Sequence, residues 1–452
     1  MKPDASDDKY AMTFFNMPLE KFIDKKHELV LLADRINWAN IEKLFEEYYS
    51  NKGRKGIRTR LIVGLQLLKY MKNLSDEAVC DMWVENPYFQ YFCGEKLFQY
   101  ELPMDRTSIS KWRKRVDTEK LEKILQETLS VAYMSGALSS QDVQKIAVDT
   151  TVQNKAVDYP SEIKLLLDGI LDLGRSAKRT GLKLKQNYRF IAKSLAIKAS
   201  GYAHARQMNR LKTATKSMKK YMFKLRARIE NAVKNSGKEM HEISAHLQER
   251  LIRAGKVLWQ TKKDPDQLLV WHAPEVECIA KGKARSPYEF GCKVSLAINV
   301  NPAKGGHFIL SSRALHGKPY DGHTLEGTVK HAEEMTGSNA SKVYVDKGYK
   351  GEYAKKDLRV YISGQRRGVF GKIKAELKRR SAIEPIIGHA KLSHRLDKCR
   401  LKGQKGDKIN AIFAAIGFNL RQVLNWLALI FCFCLEFLLG AIEKSSPAPK
   451  IV

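Results

Sequence analysis

The chain has 452 residues with 80 Lys and Arg against 49 Asp and Glu, a formal net charge of +31. A hydrophobic content of 44% excludes wholesale disorder and leaves room for two or three domains. A cationic surplus of this size repels itself, so a polyanionic partner is the first expectation. Seven scattered cysteines without a CxxC pair argue against a disulfide framework or a zinc cluster and for a reducing compartment. The polar start, Met1 to Asp8, has no signal-peptide character, so a cytoplasmic, nucleoid-associated location is expected.

Residues 1–135 read as helical. Trp38–Tyr49 and Arg58–Met71 have helical spacing, with Leu61, Leu65 and Leu68 on one face. Ser75 or Asp76 can cap a helix over Glu77–Glu85. Asp105 to Ser108 opens a short helix carrying Lys111, Arg113, Lys114 and Arg115. Short helices, tight turns and a basic last helix fit a helix-turn-helix-like DNA-binding region, with those four cations as DNA contacts. The bland alternative is a bundle with one solvated basic face.

Ile146-Ala147-Val148 form an apolar run that ends at Asp149, which predicts a buried strand with a carboxylate near its end. Residues 160–262 return to helix. From Arg175 to Ile229 there are 17 Lys and Arg and no Asp or Glu. Such a stretch forgoes i,i+4 ion pairs and repels itself unless phosphates lie against it. Lys183, Lys185, Arg189, Arg206 and Arg210 are the DNA contacts expected there. Cys292–Asn301 and His307–Leu315 read as two strands joined by a hairpin turn at 302–306. A helix over Thr324–Thr336, a strand over Lys342–Asp346 and a strand over Leu358–Ser363 follow. Residues 372–403 read as helical and basic. Without the helical insert, this order gives a mixed sheet with helices packed on it. Near the end, Val423–Ile442 is long enough to cross a bilayer. Asn425 and Glu436 interrupt it, which favours a buried core or oligomerisation helix over a membrane span.

Asp149 and Asp346 sit at predicted strand ends, where a carboxylate is costly unless paired or metal-bound. Glu384 is a third candidate. Three carboxylates converging at one sheet edge would hold two divalent ions, with Mg2+ suited to an all-oxygen donor set and Mn2+ a possible substitute. Two ions about 4 Å apart serve phosphodiester displacement. Glu384 also has a structural reading, because Ser381 to Glu384 matches a capping box. A helix continuous through Pro385 would instead place Arg380, Glu384 and Lys391 on one face. Tyr349 could contact a DNA end or pack against the sheet, and His323 could cap a helix or face the cleft.

The segments AVDTTV, YEFGCKVSLA, PYDGHTL, VDKGYKG and RRSAIEPIIGHAKLSHRLDKCRLKG, in that order, resemble bacterial insertion-sequence transposases of the DDE type. The group resembled has a Tyr-Arg-Glu-Lys signature, and the resemblance runs from about residue 55 to 430. It implies an α/β RNase H-like catalytic core, with Asp149, Asp346 and Glu384 as catalytic and metal-holding residues. Arg380 and Lys391 match the signature Arg and Lys as DNA contacts. The signature Tyr position is occupied by Leu377, so no DNA contact is transferred to it.

The expected organisation is a helical DNA-binding domain over 1–135, a catalytic core from 136–159 and 263–408, a basic helical insertion at 160–262, and a C-terminal apolar helix and tail at 409–452. The expected function is a Mg-dependent transposase that binds terminal inverted repeats in double-stranded DNA, cleaves strands and joins them to target DNA. A homodimer would pair two ends, and no membrane partner is expected. The alternatives are a catalytically inactive DNA-binding descendant and an RNase H-like nuclease without strand transfer.

Overall fold

The computed structural model describes residues 18–50, 52, 55–236, 244–261, 263–280, 287–350 and 358–445, with side chains through 430. The polar segment Met1 to Asp8 and the side chains of 431–442 lie outside the described residues. The chain forms two compact units. The first comprises residues 1–153, 293–315 and 319–452, and the second 154–292 and 316–318.

The first unit opens with α1 (Glu28–Arg35), α2 (Trp38–Phe45), α3 (Thr59–Met71), α4 (Asp76–Glu85), α5 (Pro87–Phe92), α6 (Thr107–Arg115) and α7 (Thr118–Met134), then β1 (Lys145–Lys155). Ser75 is the cap of α4, its side chain accepting from the Ala78 amide. In the second unit follow α8 (Glu162–Arg179), α9 (Arg189–His204), α10 (Met208–Asn235), α11 (Ala245–Trp259) and β2 (Glu277–Ala280). The strand β3 (Tyr288–Asn299) leads back to the first unit. There the chain continues as β4 (Ile309–Leu315), α12 (Asp321–Thr336), β5 (Lys342–Val345), β6 (Arg359–Ile362), α13 (Gly371–Arg379), α14 (Ile383–Ser393), β7 (Lys398–Cys399) and α15 (Gly403–Ser445).

The sheet of the first unit runs β4-β3-β1-β5-β6, with β7 also pairing β1. Strands β3 and β4 are antiparallel, and β1, β5 and β6 are parallel. It is therefore a mixed sheet flanked by helices. Its central strand β1 is covered on both faces, which explains the unbroken apolar run Ile146-Ala147-Val148.

The helix α15 passes through the core, and residues 411–420 are all buried. Its polar side chains are satisfied by neighbouring elements. The Asn419 amide group donates to the Ile309 carbonyl and its oxygen accepts from the Ile309 amide, which fixes α15 against β4. Asn410 accepts from the Tyr70 hydroxyl and donates to Gln153 and the Arg395 carbonyl. Gly417 allows close approach to α3, since a Cβ there would lie 2.7 Å from the Tyr70 carbonyl oxygen. By length and composition Gly403–Ile430 could cross a membrane, yet most of that stretch is buried inside the protein.

Two expectations change. Asp149 lies in mid-strand, because β1 runs on to Lys155. Residues 372–403 are not one helix. Arg395 takes a left-handed conformation at φ +64°, and the Leu396 amide turns back to the Ala390 carbonyl. The chain then adds β7 before α15 begins.

The second unit has its own core. On α10, Met218, Met222, Leu225, Ile229 and Val233 recur at helical spacing and pack with Leu166, Ile170 and Leu173 of α8 and Leu247 and Leu251 of α11. The opposite surface of α10 carries Lys212, Lys216, Lys220, Lys224 and Arg228, a run of exposed cations at steps of four.

Candidate active site

Parallel pairing sets two carboxylates side by side. Val148 is in register with Val345, and the next residues are Asp149 and Asp346. Both thus emerge where the paired part of β1 and β5 ends. The third carboxylate comes from the α13–α14 arm. Buried Glu376 on α13 fastens this arm to the sheet, accepting from Lys145 at 2.6 Å and from the Tyr344 hydroxyl. Burial opposes ionisation of Glu376, but the Lys145 and Tyr344 hydrogen bonds outweigh it and hold its carboxyl below the usual range. A single 3-10 turn, Arg380–Ala382, joins α13 to α14. The capping box is not formed, because the Ser381 hydroxyl donates to the Lys378 carbonyl. Pro385 is accommodated within the first turn of α14, where its missing amide has no partner to lose.

Arg380 lies among all three carboxylates. Its Nη1 is 3.8 Å from Asp149 Oδ2, and its Nη2 is 3.7 Å from Asp346 Oδ1 and 3.8 Å from Glu384 Oε1. Its side chain is only 10% exposed, and Nη1 is buried without a direct hydrogen bond. One guanidinium thus faces three carboxylates at distances longer than hydrogen bonds, and net negative charge remains. An all-oxygen donor set with that residual charge fits a hard divalent cation.

We expect Arg380→Met to lower stability in metal-free buffer by about 2 kcal/mol, a modest value because Asp346 and Glu384 are well exposed and screened. Added Mg2+ should then raise the melting temperature of the variant more than that of the wild type. Equal responses would show that the three carboxylates do not share one cation site.

A fourth carboxylate joins the site. Asp321, the first residue of α12, accepts from the Thr150 hydroxyl at 3.0 Å and from Lys293 Nζ at 2.8 Å. Lys293 also donates to the Pro319 carbonyl. Tyr349 is 1% exposed, so it packs beneath the site and is not available to stack on a DNA end. Burial, then the charges of Asp149 and Asp321, push its hydroxyl far above the usual range. His323 is exposed and does not cap α12; its ring meets Tyr320 edge-on at 5.4 Å. Sequence reading missed Asp321, Lys293 and Thr150 as site residues, although all three fall in segments that carry the resemblance.

Two family profiles match the chain. One is described as Transposase domain (DUF772), over residues 17–115. The other, Transposase DDE domain, spans 364–424 and so includes Arg380, Glu384 and Lys391. A curated relative from Rhizobium meliloti, "Uncharacterized protein ORF8 in nfe locus", is 42% identical over 193 residues, which is 43% of this chain and 93% of the relative. The chain belongs to the DDE-type insertion-sequence transposases. No solved structure matches it. Transposases of this kind act on DNA and use divalent metals.

The transposase places the cations singled out in sequence in different settings. Lys111, Lys114 and Arg115 are exposed on α6. Arg113 is buried, with its guanidinium on Asp76 of α4 and Gln66 of α3, which removes it from the set of DNA contacts. In the second unit Lys183, Lys185, Arg189, Arg206 and Arg210 are all exposed. Arg380 is enclosed by the carboxylates, and Lys391 is half-buried on α14, seven residues after Glu384.

Proposed function

We propose that this transposase binds the terminal inverted repeats of an insertion sequence, cleaves there and joins the freed ends to target DNA, on an RNase H-like core. The observation that carries this reading is the grouping of Asp149, Asp346 and Glu384 around Arg380 at the edge of a mixed sheet. The strand order β4-β3-β1-β5-β6 supports it, since the parallel half brings Asp149 and Asp346 together. Asp149, Asp346 and Glu384 would hold two Mg2+ ions. Bound metal would supply a nucleophilic water or 3′-hydroxyl and neutralise charge on the leaving oxygen. The chain's own part is to fix three carboxylates at one place and offset their repulsion with Arg380. Tyr349 closes the floor against water, and Asp321 holds the Thr150 hydroxyl beside Asp149. The exposed cations of α9 and α10 would track phosphates, since a like-charge run such as that on α10 repels itself unless anions lie against it.

The test is incubation of the full chain with Mg2+ and duplex DNA carrying candidate element ends. Free 3′-hydroxyls at the element boundary, followed by their covalent joining to a second duplex, are expected. Cleavage without joining would leave the nuclease reading, and binding without cleavage the inactive one. Normal cleavage by Asp346→Ala would sink the site assignment.

A further inference from the structure

A second concave site lies away from the carboxylates, among the N-terminal helices of the first unit. It is a cavity of about 390 Å³ lined by Phe45, Tyr48, Tyr49, Trp112, Lys111 and Arg115, with Ile57, Ile62 and Val116 adding apolar surface. That volume is in the range of small-ligand sites, about 300–1,000 Å³. Its walls are aromatic and rigidly held. Trp112 leans on Phe45 at 5.6 Å between centroids, and Phe45 touches Tyr48 at 6.0 Å. The Tyr49 hydroxyl is fixed between the Ile57 carbonyl and Thr59. The Tyr48 hydroxyl donates to Asp117 at 2.8 Å. Among the described residues, no carboxylate lines the cavity. Lys111 and Arg115, one turn apart on α6, are exposed and form no ion pair among the described residues.

A conventional major-groove reading helix presents polar side chains to base edges on a convex surface. This is a different arrangement: a concave aromatic box with two free cations. Aromatic walls recognise the face of a planar base, and every base has such a face. Flanking cations match the phosphates on either side of it. We propose that this cavity receives one unstacked DNA base, with Tyr48 and Trp112 against its ring and Lys111 and Arg115 on the adjoining phosphates. The proposal rests on the DNA reading above and adds a site for unpaired DNA, separate from the catalytic carboxylates.

The experiment uses the full chain and three duplexes of one sequence: fully paired, with a single-nucleotide bulge, and with an abasic nucleotide at the bulge. The abasic bulge is as deformable as the intact one, so it isolates the base. The bulged duplex should bind about tenfold more tightly than the other two. Trp112→Leu and Tyr48→Leu should each erase that preference while leaving affinity for the paired duplex unchanged. Lys111→Gln should weaken all three and lower the salt dependence by about one phosphate contact. Equal binding of the three duplexes by the wild type would overturn the proposal, and this arm does not depend on a variant folding. Persistence of the preference in both aromatic variants would overturn it as well. Failure to bind any DNA would instead remove the DNA reading itself, and the base site with it.

Discussion

Asp149→Ala is expected to slow strand cleavage at least about a thousandfold, equivalent to about 4 kcal/mol of transition-state stabilisation. Affinity for DNA ends should stay within about twofold of wild type, because the proposed phosphate contacts are made by exposed cations and Asp149 is not among them. The Asp149 carboxylate is oriented by the adjacent Thr150 amide and by Arg380. Its Oδ1 accepts from the Thr150 amide at 2.7 Å, which leaves Oδ2 directed at the Arg380 guanidinium. Asp149→Asn keeps that amide contact and the side-chain volume but removes the charge, so it should lose nearly as much. Single-turnover cleavage measured with saturating protein separates this from a binding defect. A rate within tenfold of wild type would show that Asp149 is not a metal-holding residue.

Asp76→Ala is expected to cost about 3–5 kcal/mol of stability, measured by denaturant unfolding. Asp76 accepts from Lys69 at 2.7 Å and from both terminal nitrogens of Arg113, tying together α3, α4 and α6. Lys69 and Arg113 are nearly inaccessible, at 6% and 7% side-chain exposure, so removing the carboxylate strands two buried cations. Burial and the like charge of Arg113 already pull the Lys69 ammonium down to about 8. Burial works against ionisation of Asp76 too, but the hydrogen bond from Arg113 and the charge of Lys69 prevail and hold its carboxyl well below the usual range.

The signs follow from linkage. A depressed folded pKa for Asp76 gives stability that is present above the ordinary carboxylate value and fades as pH falls toward the depressed one. The lowered Lys69 value means the unfolded chain binds more protons from about pH 8 to about 10.5, so stability should rise with pH across that interval. Asp76→Ala should flatten the acid limb and start the alkaline rise at lower pH, because the Asp76 charge and hydrogen bond hold the Lys69 value up. A cost under 1 kcal/mol would mean that water reaches Arg113 and Lys69.

What could be read in the sequence, and what could not, follows from how local each signal is. Asp149 and Asp346 were legible because each breaks an apolar strand run, and a strand advertises itself over five residues. The nearness of Arg380 to Glu384 was legible from their i,i+4 spacing, whereas their roles and that of Lys391 came only with the resemblance. Whether Ser381 capped a helix or lay inside one was not, since both conformations satisfy the same four residues. The break at Arg395 was hidden because a non-glycine residue at positive φ gives no warning in composition. Arg113 was misassigned for a related reason. A basic run looks the same whether a given side chain meets solvent or an aspartate 37 residues earlier. Asp321, Lys293 and Thr150 come from three separate segments, and only folding makes them neighbours.

The second unit leaves the sheet from β1 after Gln153 and returns on β3 at Lys293. Those two strands are neighbours in the sheet, so the excursion departs and re-enters about one strand spacing apart, roughly 5 Å. Such a doorway is indifferent to what lies beyond it. Closing a loop becomes only logarithmically harder as it lengthens, about 0.6 kcal/mol for each doubling. A sheet threaded this way can exchange one cassette for another of different size or architecture without re-registering Val148 against Val345. If the second unit grips DNA as proposed, that grip and the chemistry at the carboxylates are free to diverge at separate rates.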